Sequence, residues 1–287
     1  MKLMVKVLAF FIVAIAAMFY FTRPGSLTTD SASASGNTTA GSLQKIAALP
    51  GEINESSGVI ALAENGHYLT HNDAGNQPHL YRINSKAEIT QTIKLKLPNV
   101  DWEDLAMDKD GNIYIADTGN NNNRRKELAI YKINLKDTEK PQAIRFTYED
   151  QKEYPPSKKD RNFDCEAIFW HDDNIYLISK DRGQEKTAKV YQLPAEPGTY
   201  VAKLIGKHNI NTMITGAAIS PDEETVALIS EGKLHIFTGY TSPASFYEGK
   251  YKAINIKEAG QTEGVAFEDD STLIITSEGG SLYRFGL

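Results

Sequence analysis

Four glutamates, Glu55, Glu103, Glu166 and Glu263, sit in short polar turns ahead of apolar stretches, and Asp73, Asp117, Asp181, Glu231 and Glu278 close the apolar stretches that follow. Lys180 stands beside Asp181. Carboxylates at two fixed places of a recurring unit are the donors of an all-oxygen site. Calcium takes about six to eight oxygen ligands from carboxylates, carbonyls and water, so it suits such a set better than zinc does. Once gathered, the acids must be neutralised, because two carboxylates about 4 Å apart repel by roughly 1 kcal/mol in water and about 4 kcal/mol at an effective dielectric of roughly 20. Raised pKa values, cations such as Arg124, Arg161, Lys180 and Arg182, or a bound metal ion can do this. Glu55, Glu103, Glu166 and Glu263 are the expected metal ligands, with Ca2+ as the ion. Asp73, Asp117, Lys180, Asp181 and Glu278 are the expected contacts to a further ligand. The same Asp-x-Gly and Glu-Gly tracts are also ordinary turn-formers, and a repeated glutamate can cap backbone amides at a strand entrance.

Other reactive residue types lack a supporting pattern. His71 and His171 have no second ligand at metal spacing and read as hydrogen-bonded structural histidines. Ser56-Ser57-Gly58 lacks the strand-turn-helix frame of a nucleophile elbow, which argues against a serine hydrolase. Asn120 to Asn123, followed by Arg124-Arg125-Lys126, has no interleaved aromatic residues and reads as a polar loop rather than a nucleic-acid surface. The single cysteine, Cys165, excludes an intrachain disulfide and reads as a small buried filler.

The elements that position the acids form a repeat of roughly 50 residues. Five copies align, each with a polar turn, an apolar strand, a second strand ending in an acid near a glycine, and a third strand carrying tyrosine or phenylalanine. The first copy is Glu55 to Ile60, His67 to Gly75 and Leu80 to Ile83; the second is Glu103 to Ala106, Asn112 to Gly119 and Leu128 to Ile133. The third is Glu166 to Phe169, Ile175 to Gly183 and Val190 to Leu193. The fourth opens on Thr215 instead of an acid and continues through Val226 to Gly232 and Leu234 to Phe237; the fifth is Glu263 to Phe267, Leu273 to Gly279 and Leu282 to Phe285. Ile93 to Leu97, Ala143 to Tyr148, Val201 to Ile205 and Ala253 to Ile256 supply fourth strands.

Four strands per repeat make a propeller blade, so the fold class is an all-β β-propeller of five blades. A sixth is conceivable if a degenerate blade hides between Phe146 and Asp164. The fifth copy ends after three strands, and the unassigned run Leu43 to Leu49 is its missing fourth, so an N-terminal strand closes the ring and removes exposed edges. Inner strands begin, and second strands end, on the same face. Both sets of acids are therefore expected at one mouth of the central channel, with the long loop Asp150 to Asn162 as a lid or partner-binding segment over it.

Composition suits this reading. Of 287 residues, 41% are apolar, enough for a core, and the net charge of −6 without a basic face argues against nucleic-acid binding. Lys2 and Lys6 precede an uncharged apolar run from Val7 to Phe21, the pattern of a signal peptide or a short anchor over residues 1–23. Residues 24–41, rich in Ser, Thr, Gly and Ala, read as a flexible linker to a propeller domain over 42–287. The expected location is periplasmic or extracellular, free or held to the inner membrane by that segment.

Several tracts resemble an uncharacterised family of bacterial exported propellers. They are Glu55-Ser56-Ser57-Gly58 with Thr70 to Asn76, Asp101 to Ala106 with Ala116 to Asn121, Asp164-Cys165-Glu166-Ala167 with Ser179-Lys180, Thr215-Gly216-Ala217 with Ser220-Pro221-Asp222, and Thr262-Glu263-Gly264 with Ser277-Glu278-Gly279. The chain is also similar, more distantly, to SdiA-regulated, NHL-like and TolB-like propellers. The five copies and inner glutamates look like those of calcium-activated nucleotidases, whose channel holds a calcium ion. The resemblance implies the fold and a channel site. The expected function is a binding module for a small molecule or an envelope protein; the alternative is a metal-dependent hydrolase of phosphoesters, nucleotides or lactones.

Overall fold

A computed structural model describes residues 41–287. The signal peptide or anchor expected over 1–23 lies outside these residues, as does the linker up to Gly41. Among the described residues, no helix is long and apolar enough to cross a membrane.

Among the described residues, twenty strands form five four-stranded blades. The first is β2 (Ser56–Ala61), β3 (His67–Asn72), β4 (His79–Asn84) and β5 (Ile89–Lys94). The second is β6 (Trp102–Met107), β7 (Asn112–Asp117), β8 (Leu128–Asn134) and β9 (Asp137–Tyr148). The third is β10 (Asp164–His171), β11 (Asn174–Lys180), β12 (Thr187–Pro194) and β13 (Gly198–Asn209). The fourth is β14 (Ile214–Ile219), β15 (Thr225–Ser230), β16 (Lys233–Thr238) and β17 (Lys250–Asn255). The fifth is β18 (Thr262–Asp269), β19 (Thr272–Ser277), β20 (Ser281–Gly286) and, from the other end of the chain, β1 (Leu43–Ala48). Between Tyr148 and Asp164 the chain makes only a 3-10 turn at Lys158–Asp160, so that stretch hides no sixth blade.

Burial explains the sequence pattern. Each blade is covered on both faces by its neighbours, so second strands such as β15 (TVALIS) and β19 (TLIITS) are buried almost throughout and read as continuous apolar runs. Outer strands such as β17 (KYKAIN) lie mostly in solvent. Five apolar clusters fill the five seams between blades. Phe146, Leu177 and Tyr191 lie in the seam between the second and third, Phe169, Val226 and Phe237 in the next, and Tyr68, Ile83 and Ile274 in the seam that closes the ring.

Closure follows from β1 pairing antiparallel with β20, Leu43 opposite Phe285 and Ala48 opposite Ser281. The ladder is extended by Gly41 N–H to the Gly286 carbonyl (2.7 Å) and Leu49 N–H to the Gly280 carbonyl (2.8 Å). One feature has no counterpart in the repeat: β9 and β13, the long outer strands of the second and third blades, pair in parallel from Ile144–Gly198 to Tyr148–Ala202 and join two blades into an eight-stranded sheet.

The inner strands β2, β6, β10, β14 and β18 neighbour one another in that order around the axis. The ring is tight enough to need glycine. A Cβ on Gly58 would stand 2.7 Å from the Leu105 nitrogen, and one on Gly264 would stand 2.6 Å from the Ser57 carbonyl oxygen and 2.5 Å from Thr276 Oγ1. Side chains stitch the same seams: Ser57 donates to the Glu103 carbonyl (2.5 Å), Thr118 to that of Cys165 (2.7 Å) and Thr215 to that of Thr262 (2.8 Å).

Gly264→Ala is therefore expected to cost about 1–3 kcal/mol through overpacking against backbone. Gly51→Ala, where no atom lies within 4 Å of the added carbon, should be close to neutral. Urea unfolding of the two variants checks this.

Candidate functional site

The pairing of first with second strand shifts at the same place in every blade: between Ser56 and Val59, Trp102 and Leu105, Cys165 and Ala167, Ile214 and Gly216, and Thr262 and Gly264. A bulge of this kind inserts one residue and re-aims side chains beside it. Aligned on the bulge, Ser57, Glu103, Glu166, Thr215 and Glu263 occupy one level. Glu55, Asp101, Asp164, Met213 and Gln261 occupy the level two residues earlier. Glu55 thus belongs with Asp101 and Asp164, not with the other three glutamates as the sequence suggested.

Of these ten positions, Glu55, Ser57, Glu103, Glu166, Gln261 and Glu263 line a cavity of about 230 Å³, while Asp101 and Asp164 do not line it and reach it only through their closeness to Glu103. Of the residues selected from the sequence, Glu55, Asp73, Glu103, Glu166, Lys180, Glu263 and Glu278 line it, together with Ser56, Ser57, Asn121, Arg182 and Gln261. Asp117 and Asp181 are not among the lining residues. Asp117 accepts the Val100 and Asp101 amides (3.3 and 3.2 Å) and pairs with Arg125 (2.9 Å). Asp181 accepts four amides of its own turn, from Gly183, Gln184, Lys186 and Thr187. Both organise turns. The loop from Asp150 to Asn162 does not line the cavity either. It is fastened to the second and third blades by Gln151 to the Asn123 carbonyl (3.1 Å), Asp150 to Lys189 (2.8 Å) and Asn162 to the Thr187 carbonyl (2.8 Å). His71 is buried and hydrogen-bonded through both ring nitrogens, to the Gly58 amide and the Asn72 carbonyl, and burial lowers its pKa to about 4. His171 meets Glu223 at 3.1 Å, away from the carboxylate cavity.

Five carboxylates form two groups that share Glu103: Asp73, Asp101 and Glu103, and Glu103, Asp164 and Glu166, with ligand oxygens in each group within 4.8 Å of one another. Their surroundings differ. Glu166 is paired with Lys180 and Arg182, and Asp164 accepts from Arg182 Nε (2.6 Å) and the Asn120 amide (2.5 Å). In the first group Asp73 accepts only the Ala74 amide (2.5 Å). Among the described residues, no hydrogen bond reaches the carboxylates of Asp101 or Glu103, although Glu103 is only 5% exposed.

Burial and mutual repulsion act in one direction. The Glu103 carboxyl is pushed well above its usual range by burial, then by Glu166, Asp164, Asp73 and Asp101. Glu166 is raised likewise by burial and Asp164, against the opposing pull of Lys180 and Arg182. Asp101 rises to about 6, through burial and then Asp73 and Asp164, and Glu263 to about 7, mainly through burial. Asp73 and Glu278 are raised, again chiefly by burial. Burial works against the Lys180 ammonium, but Glu166 and Glu263 outweigh it and its pKa ends above the usual lysine value.

A further acid lies just behind the cavity. Asp104 is fully buried and spans the channel, accepting the amides of Leu105 (2.8 Å), Ile168 (2.9 Å) and Ala217 (3.3 Å), so one carboxylate ties the second blade to the third and fourth. Burial raises its pKa well above the usual range, opposed by the three amides. Asp101 and Asp164 are the site residues that the sequence did not select. The available signal was their position two residues before Glu103 and Glu166. For Asp104 the signal was a charged residue where the other copies have Gly58, Ala167, Gly216 and Gly264.

The fold and site define a five-bladed β-propeller with a carboxylate-lined cavity at one mouth. No protein-family model matches the chain, and no curated protein matches its sequence. Among solved structures, it is similar to the PQQ-bound form of an aldose sugar dehydrogenase from Streptomyces coelicolor (12% identity, 86% of this chain and 99% of that one covered, TM-score 0.49). It is also similar to a protein of unknown function from Bacteroides thetaiotaomicron (9% identity, 85% and 75% covered, TM-score 0.49).

Two outcomes are expected. Asp104→Ala strands three buried amides and should destabilise the chain by several kcal/mol, at about 1–3 kcal/mol for each unmet group, measured by chemical unfolding. Asp101 and Glu263, raised from 3.8 to about 6 and from 4.5 to about 7, bind protons more tightly folded than unfolded. Their contribution is fully present below about pH 4 and is lost as pH rises through about 6 to 7, so in chelator the melting temperature should fall across that window.

Proposed function

We propose that this protein is an exported or membrane-tethered binding module whose carboxylate mouth holds a divalent cation, calcium, and offers it to a small molecule or an envelope protein. The observation that carries the reading is Glu103: a carboxylate, almost wholly buried, with no hydrogen-bond donor, facing a cavity between two acidic groups. An isolated buried charge is costly, and a cation bound to Asp73, Asp101 and Glu103 supplies the missing partner. The other group already has Lys180 and Arg182. Separations of up to 4.8 Å between donor oxygens suit a large, hard ion with ligands at about 2.3–2.6 Å, and Ser56, Ser57 and Asn121 at the cavity wall add neutral oxygens. Glu55 and Glu263 lie outside the two groups. In this reading they contact what binds to the ion. The apolar run from Val7 to Phe21 supports export or anchoring.

A hydrolytic reading draws on Glu263, whose carboxyl at about 7 suits proton transfer beside a metal-bound water. Turnover of phosphoesters, nucleotides or lactones that needs calcium and is lost in Glu263→Gln supports it; no turnover leaves the binding module.

Calcium added to chelator-treated protein is expected to raise the melting temperature with saturation and to abolish the fall in stability with rising pH. A ligand present at a hundred times its dissociation constant adds about 2.7 kcal/mol. Glu103→Gln should remove the calcium response while the variant stays folded. An unchanged melting temperature in millimolar calcium, with no heat of binding, counts against the proposal.

A further inference from the structure

We infer that the opposite mouth of the channel binds a basic peptide segment, inserting a large apolar side chain between the inner strands while lysine or arginine meets an acidic rim. A cavity of about 420 Å³ opens there, within the range of about 300–1,000 Å³ usual for ligand pockets. Along β6, Glu103 lines the carboxylate cavity and Leu105 the second one, with Asp104 bridging the blades between them. The second cavity therefore has its own floor and is independent of the proposed cation. Its upper wall includes Met107, Trp170, Ile219 and Phe267.

Two observations decide what fits. Each inner strand is the edge of its sheet, so apart from the Leu105, Ile168 and Ala217 amides that Asp104 holds at the floor, its channel side offers backbone N–H and C=O groups without a strand partner, the complement of another polypeptide's backbone. Around the mouth, each of the five inner hairpin turns carries exposed acid: Glu64, Asp110, Asp172, Glu224 and Asp270, one from each blade. Lys109 is the single lysine or arginine in those turns, and Glu223 already pairs with it at 2.9 Å. Glu64 is paired with Arg82 of β4, which leaves Asp110, Asp172, Glu224 and Asp270, among the described residues, without an ion pair. A ring with that excess of one sign around a low-dielectric pocket concentrates counter-charge. A neutral apolar ligand gains nothing from that ring, and an anionic bilayer surface is repelled by it. A cationic peptide with a leucine or phenylalanine uses the ring, the edges and the wall together.

Trp170 makes the test direct. The chain has two tryptophans, and Trp102 is fully buried with its indole N–H on the Pro98 carbonyl (2.9 Å), so an emission change at this mouth reports Trp170. The full chain, purified in neutral detergent, is titrated with acetyl-Lys-Leu-Phe-Lys-amide. The expected result is a saturable change in emission whose affinity falls about tenfold as salt rises from low to high. The combined variant Asp172→Asn, Glu224→Gln is expected to weaken binding about fivefold or more without altering the fold. Among the described residues, neither of those carboxylates makes a hydrogen bond or an ion pair, and Trp170→Phe should remove the signal. Equal affinity for acetyl-Gln-Leu-Phe-Gln-amide overturns the inference. So does an emission unchanged at millimolar peptide, or quenching of Trp170 by brominated phospholipid vesicles in place of peptide binding.

Discussion

Five sheets around one axis bring their inner strands so close that side chains are excluded from parts of the seam. Gly58 and Gly264 stand where a methyl group would meet the neighbouring backbone. A strand pressed this closely cannot also aim a long side chain into the channel without local relief. The bulge present in every blade provides it, turning Glu103, Glu166 and Glu263 toward the mouth while their neighbours stay in the seams. Crowding thus fixes where the acids emerge, and the bulge fixes which ones.

The same crowding keeps those acids out of water, and the molecule answers that cost in two ways. Asp104 takes three amides from three blades and becomes part of the framework. Asp164 and Glu166 take Arg182 and Lys180, both supplied by the turn after β11 or its last residue. Asp73, Asp101 and Glu103 have no such side-chain partner, and the proposed cation site rests on this asymmetry between two clusters that share Glu103.

The architecture was legible in the sequence because second strands covered on both faces are apolar through most of their middle positions, which leaves a period visible to the eye. The stretch Leu43 to Leu49 was legible as a closing strand for the complementary reason that the fifth copy lacked one. What stayed hidden was geometric. Asp73 and Asp117 look alike in the sequence, but Asn72 is the residue that pairs where Asp117 does, opposite Ser56 as Asp117 is opposite Trp102, so Asp73 stands one residue later and faces the cavity while Asp117 binds amides and Arg125. The grouping of Glu55 with Asp101 and Asp164 depends on one inserted residue per strand, which is invisible without pairing partners. The parallel ladder between β9 and β13 joins separate repeats, so neither repeat encodes it by itself.

The latch that closes the ring has a mechanical consequence. β1 and β20 run antiparallel, and the first described residue, Gly41, bonds to Gly286 at one end of the ladder. Force drawn between Gly41 and Gly286 loads the hydrogen bonds one at a time, like a zipper pulled from its open end, instead of all together in shear. The fifth blade would surrender its borrowed strand at low tension while the other four keep all of theirs, so this seam is where the circle would first come undone under load.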